Sequence, residues 1–163
     1  MSTLIRPAGA ADLPALGQLA GALVRFHHAL NPRRYMLAPG VEEGYARWFE
    51  SELENPRAVI LTASKHDTLV GYAYGRVEDR DWNALLDRHG AVHDLFVDAS
   101  ARRSGVGRKL LSAVLRALHD KGAPRVLLNT AIENSGAQAL FAAFGFRTTM
   151  LEMTREAESA ADQ

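Results

Sequence analysis

Leu95-Phe96-Val97-Asp98-Ala99-Ser100-Ala101-Arg102-Arg103-Ser104-Gly105-Val106-Gly107-Arg108 is the stretch whose reading decides the fold. An apolar run of strand character ends at Val97, and a basic loop follows. Two glycines then open an amphipathic helix, with Val106, Leu110, Val114 and Leu118 at four-residue steps. The first N–H groups of a helix have no partner inside it, and glycine lets an anion approach them closely. Arg102, Arg103 and Arg108 add positive charge beside them. Such a turn suits a pyrophosphate. A Rossmann fingerprint needs a third glycine where this chain has Leu110, and a Walker loop needs Gly-Lys-Ser/Thr, which is absent.

Outward from that stretch, periodicity defines an alternating chain. Thr3–Arg6 reads as a strand, and Ala11–Leu30 as a helix with Leu13, Leu16, Leu19, Leu23 and Phe26 on one side. Asn31-Pro32 stops it. Val41–Leu53 reads as a second helix. Ala58–Thr62, Leu69–Val77 and Ala91–Val97 read as strands, the first two joined by a turn at Lys65-His66-Asp67. A polar loop, Asp79–Gly90, carries Trp82. After the glycine turn come a helix to Lys121, a strand Arg125–Ala131, a helix Asn134–Phe144 and a last strand Phe146–Met153. The order predicts an α/β fold: a mixed sheet, antiparallel in the middle with a parallel pair later, and helices on both faces. Residues 1–155 are expected to form one domain, and 156–163 a polar tail.

The composition narrows the function classes. The 163 residues fit one domain, and 47% hydrophobic with 23% charged is ordinary for a globular protein. Nineteen basic residues balance nineteen acidic ones, so the net basic footprint of a nucleic-acid partner is missing. With no cysteine, disulfides, zinc–thiolate sites and a cysteine nucleophile are excluded. His27 and His28 are adjacent and do not share a helix face, so no metal is expected. No signal pattern or membrane-length apolar run appears, and the expectation is a cytoplasmic protein with no membrane or nucleic-acid partner, for which a homodimer is allowed.

At the glycine turn the chain resembles the GCN5-related N-acetyltransferases, the GNAT family. Their pyrophosphate loop, Arg/Gln-x-x-Gly-x-Gly/Ala, corresponds to Arg102-Arg103-Ser104-Gly105-Val106-Gly107. A second signature, Asn-x-x-Ala-x-x-Leu-Tyr-x-x-x-Gly-Phe, corresponds to Asn134, Ala137, Leu140, Phe141, Gly145 and Phe146, with Phe141 where the family usually has tyrosine. The resemblance implies the GNAT-type acyl-CoA N-acyltransferase fold and transfer of an acetyl group from acetyl-CoA to a primary amine of a small molecule or peptide. It implies cofactor contacts from Leu95, Val97, Arg102, Arg103, Ser104, Gly105, Val106, Gly107, Asn134 and Phe141. It also implies a bulged, splayed strand ending at Val97, with a free backbone N–H near Leu95 to Val97.

Amine attack on a thioester sets its own requirements. The amine must lose a proton held with a pKa of about 10.4, and the carbonyl oxygen needs a donor. Asp94, where many family members carry an acid, is the expected base, with His93 beside it as a second candidate. Phe141 cannot donate a proton, and its place on a stripe with Ala137, Leu140 and Phe144 also suits a core residue. Tyr72 and Tyr74 are substitute donors on this reading, or strand packing. Asn134 also suits the N-cap of its helix. In this family the first two helices wall the acceptor site, which nominates Phe26, Tyr35 and, across from them, Trp82. Arg33 and Arg34 would draw an acidic acceptor, whereas Glu42, Glu43 or Glu50 would draw a polyamine. A non-catalytic acyl-CoA binding or sensing module is the alternative.

Overall fold

The computed structural model describes residues 3–157. Five strands form one sheet in sequence order: β1 (Leu4–Pro7), β2 (Ala58–Lys65), β3 (Thr68–Glu78), β4 (His89–Val97) and β5 (Val126–Leu128). The first four pair antiparallel, and β5 lies parallel to β4. A parallel neighbour requires a crossover, and the helix after the glycine turn, here α3 (Val106–Asp120), supplies it. Two helices lie between β1 and β2: α1 (Leu13–Leu30) and α2 (Val41–Leu53). A short one, α4 (Ser135–Ala143), follows β5.

The period-two strands divide the core into two layers. On one face Leu61, Ala63, Ala73, Val77 and Val92 meet Val106, Leu110, Leu111, Val114 and Leu118 of α3, with Phe141 of α4 alongside. On the other face Ile60, Tyr72, Tyr74 and Phe96 meet Leu16, Leu19, Ala20 and Leu23 of α1 and Phe49 of α2. Helices therefore cover both faces, as the alternation of elements predicts.

The chain enters α1 through a single 3-10 turn, Ala10–Asp12, rather than as helix from Ala11. Asp12 explains the tight entry. Its carboxylate accepts from the Gly9 amide at 2.9 Å and from Arg6 at 2.6 and 2.8 Å. The Arg6 hydrogen bond, more than any other influence, holds that carboxyl below its ordinary pKa.

The C-terminal third departs from expectation. The strand expected over Arg125–Ala131 shrinks to Val126–Leu128, and the expected last strand over Phe146–Met153 does not form. Strand propensity depends on a packing surface. Phe146 has one, against Phe141, but Met150, Leu151 and Met153 are largely exposed. Ion pairs hold this segment instead. The Arg34 guanidinium binds the Glu152 carboxylate through two nitrogens, and Arg33 lies 3.9 Å from Glu156. Of the expected polar tail, residues 158–163 lie outside the described residues.

The close approach of β4, with α3 above it, requires a missing side chain on β3. A Cβ at Gly71 would stand 2.7 Å from the Phe96 carbonyl oxygen and 3.2 Å from Leu110 Cδ1. Gly71→Ala is expected to destabilise the protein by about 1–3 kcal/mol, the usual cost of overpacking. Urea denaturation with an unchanged slope and a lowered midpoint would register it.

Candidate active site

β4 carries one residue more than its partner. Tyr74 pairs with Asp94, and the next residue, Gly75, pairs with Val92, which leaves His93 extra. This β-bulge turns two consecutive side chains toward the α1–α2 face. Asp94 Oδ2 accepts a 2.9 Å hydrogen bond from the Tyr72 hydroxyl, and the His93 ring stacks on Tyr74 with centroids 5.4 Å apart. Tyr72 and Tyr74 are two residues apart on β3 and so share a face.

Beyond Val92, β4 loses its other neighbour. β5 pairs only with Gly90, Ala91 and Val92, so among the described residues the edge from His93 to Val97 has no strand beside it. The sheet splays where the bulge lies. The bulge expected on the strand ending at Val97 stands at His93, and the free backbone N–H groups expected near Leu95 to Val97 fall on the unpaired edge. Those three residues form the open edge, with Leu95 and Val97 turned to the α3 face.

The Asp94 carboxyl keeps some exposed surface but is strongly desolvated, which raises its pKa. The Tyr72 hydrogen bond and the nearby His93 offset this only in part. The surrounding phenols respond in the same sense. Burial, then the Asp94 charge, pushes Tyr45 up to about 12, and the same two influences carry Tyr72 well above its ordinary value.

A second polar cluster adjoins the first. Glu52, buried on α2, accepts from the Tyr74 hydroxyl and from Asn55 Nδ2. Arg76 grips Glu78 through two nitrogens at 2.9 and 3.0 Å, and its Nη1 lies 3.7 Å from Glu52. Glu78 Oε1 is 2.9 Å from His93 Nε2. Burial raises the Glu78 pKa, but hydrogen bonds from Arg76 and His93 outweigh it and leave the group below its ordinary value. Trp48 closes the cluster edge-on against Tyr74 at 4.8 Å. The sequence did signal Glu52: it falls on the apolar stripe of α2, three residues from Phe49 and four from Trp48.

The glycine turn has the form its residues demand. Gly105 precedes α3 with φ +81°, and among the described residues nothing beyond its own chain neighbours lies within 4 Å of where its Cβ would stand. Gly107 follows in the first turn, with Leu140 and Val97 side chains 3.6 and 3.8 Å from its Cβ position. The cradle is therefore open to an anion on the Gly105 side. Val106 turns its side chain into the core, and Ser104 Oγ donates to the Ala101 carbonyl and receives Lys65 Nζ at 2.9 Å. Lys65, at the end of β2, is a cation at this loop that sequence spacing did not reveal. Arg103 is exposed with φ +59°. Arg102 turns away from the cradle: its Nε donates to the Val97 carbonyl, and its guanidinium covers Phe26 and Phe96 at 5.3 and 5.7 Å.

The remaining expected residues divide. Asn134 caps α4, its side chain accepting from the Ala137 amide at 3.1 Å. Phe141 is buried in the α3-side core, edge-on to Phe146. Tyr35 stacks on His27 at 4.9 Å, and its carbonyl lies 2.7 Å from His28 Nδ1. Trp82 is 74% exposed and contacts Arg80, on a loop beyond the far ends of β3 and β4. The structure does not bring it to Asp94. Glu42 pairs with Arg25, while Arg34 binds Glu152 and Arg33 lies near Glu156, so Arg33, Arg34 and Glu42 are met internally.

A mixed sheet splayed beside a bulged strand, with a glycine turn opening the next helix, defines an acyl-CoA transferase type of fold. The profile of the Acetyltransferase (GNAT) family matches residues 23–146, and the chain belongs to that family. Over 90 residues it is 31% identical to a mycothiol acetyltransferase of Saccharopolyspora erythraea, covering 55% of this chain but only 26% of that protein. Among solved structures it superposes on a mutant of the BH1408 protein from Bacillus halodurans with TM-score 0.80 and 17% identity, covering 95% and 99% of the two chains. The aminoglycoside N-acetyltransferase AAC(6')-Iy, bound to a bisubstrate analogue of CoA, gives TM-score 0.72 and 20% identity over 98% and 100%.

The raised pKa of Asp94 sets a direction for stability. A carboxyl more basic in the folded state than in the unfolded chain favours folding below the unfolded value of about 3.9. It loses that contribution as pH rises through the folded value. At pH 7, above the unfolded value, the raised pKa therefore opposes folding. Asp94→Asn, which retains an acceptor for Tyr72, is expected to raise the melting temperature at pH 7. The gain should shrink toward pH 4, which thermal melts across pH will reveal.

Proposed function

We propose that this protein is an N-acetyltransferase that moves an acetyl group from acetyl-CoA to a primary amine of a small molecule or peptide. The observation that carries this reading is the desolvated Asp94 carboxyl. It stands at the bulge where β4 opens, on the same strand whose end leads into the Gly105 turn. Family membership supports it, and so does the CoA-linked aminoglycoside analogue held by the structural neighbour AAC(6')-Iy.

When bound, acetyl-CoA supplies an activated acyl group as a thioester. The open Gly105 cradle and the first-turn amides of α3 suit its pyrophosphate, with Arg103 and Lys65 adding charge nearby. Backbone N–H groups along the unpaired edge of Leu95 to Val97 suit the pantetheine arm and the carbonyl oxygen. Asp94 takes the proton of the incoming ammonium. Its raised pKa makes it a better base than an ordinary carboxylate, while Tyr72 keeps it oriented. Phe141 plays no part in proton transfer. A thiol with a pKa near 8.5 leaves tolerably as its anion, so a donor at that position is dispensable.

Two variants test this. Gly105→Val places a branched side chain in the cradle at a backbone angle that resists it. Coenzyme A affinity is expected to fall at least about 10-fold by titration calorimetry, with strain costing about 1–2 kcal/mol of stability. Unchanged affinity in a folded variant would remove the cradle from the site. Asp94→Asn is expected to lower turnover by about 10²-fold or more with little change in acetyl-CoA affinity. An unaltered rate would exclude Asp94 as the base.

A further inference from the structure

The proposed reaction leaves a proton over. An ammonium and acetyl-CoA become an amide and a free thiol: the C–N bond forms, the C–S bond breaks, and the nitrogen sheds two protons. One ends on the sulfur. The other must leave the protein in every turnover. Asp94 holds a proton more firmly than an ordinary carboxyl, because desolvation raises its pKa, and one of its oxygens is engaged by Tyr72.

His93 is built for that release. The bulge puts it on the same face as Asp94, close enough for each to affect the other electrostatically. Its side chain is 42% exposed, so it reaches bulk water. Nε2 lies 2.9 Å from Glu78 Oε1, and Glu78 is held by both ends of its carboxylate on Arg76. A carboxylate partner fixes the Nε2–H tautomer and leaves the lone pair on Nδ1. Among the described residues no protein group bonds Nδ1. The ring is also clamped flat on Tyr74, whose hydroxyl is tied to Glu52. Stacking, the Glu78 contact and partial exposure together set the ring's orientation, tautomer and solvent access.

We propose that His93, oriented by Glu78, is a relay residue that takes the acceptor's proton from Asp94 by way of a water molecule at Nδ1 and passes it to solvent. The groups facing it are Tyr74, Arg76 and Glu78 on β3, Asp94 on its own strand, and Glu52 on α2 behind Tyr74. The imidazolium formed in transit is paired with Glu78, whose own charge is secured by Arg76.

The inference rests on the N-acetyltransferase reading, and the experiment separates the two. Free thiol is followed with native protein, His93→Ala and His93→Gln, at fixed ionic strength and rising concentrations of imidazole buffer. Native turnover is expected to be independent of buffer concentration. Both variants should lose about 10-fold or more in kcat with little change in KM, and His93→Ala should recover with imidazole. A merely structural histidine would give neither buffer dependence nor rescue. In parallel, nitrogen-15 NMR of the His93 ring should report the Nε2–H tautomer in the native chain and a mixture in Glu78→Ala, whatever the activity. If native protein transfers acetyl groups but the variants match it, or imidazole fails to rescue, the relay is overturned alone. If native protein binds coenzyme A and acetylates no amine, the functional reading falls and the relay with it. A native ring without tautomer preference overturns the role of Glu78.

Discussion

The antiparallel pairing of β3 with β4, shifted by one residue at His93, is the constraint on which the rest of the site depends. Without the extra residue, strict alternation would send His93 and Asp94 to opposite faces. With it, both side chains stand against tyrosines of β3, while Leu95 and Val97 keep their places in the α3-side core. The same position marks where β5 stops pairing, so a doubled functional face and an open backbone edge coincide. Helix α3 then starts from a fixed strand end, which places the Gly105 turn near that edge.

The two helical layers serve this arrangement differently. α3 presses on the sheet through an apolar interface, and Leu110 reaches to 3.2 Å from the Cβ position of Gly71. α1 and α2 cover the other face through aromatic rings, with Phe49 against both Tyr72 and Tyr74. That layer admits polar groups because each has a partner: Glu52 with Tyr74 and Asn55, Asp94 with Tyr72, and Glu78 with Arg76 and His93. Among the described residues, no buried side-chain polar atom lacks a hydrogen bond. Satisfied polar groups beside an active carboxyl give it a fixed electrostatic setting.

Much of this was legible in the residues. The element order, the bounds of α2, the parallel pair and the glycine turn follow from periodicity and turn chemistry, which are local properties. Asn134 reads as a cap because capping is local too. What was not legible depends on pairing across the chain. Nothing in His93-Asp94 marks a bulge, since register is set by β3. Arg102 looks like a phosphate ligand beside the glycines, yet Phe26 on α1 and Phe96 on β4 draw it away. Residues 146–153 contain strand-forming types, but a strand needs a neighbour and a covered face, and β5 offers only three residues.

The hydrogen bond from Tyr72 has a geometric consequence. A free carboxylate has two equivalent oxygens, and a proton may settle on either. Burial and the Asp94 charge hold the Tyr72 phenol well above its ordinary pKa, so it is a donor in the neutral range, and it donates to Oδ2 of Asp94. Among the described residues, no protein group donates to Oδ1. The tyrosine thus breaks the symmetry of the carboxylate and gives the proposed base a handedness: the two oxygens are no longer equivalent to an incoming proton, and the difference is written into the sheet.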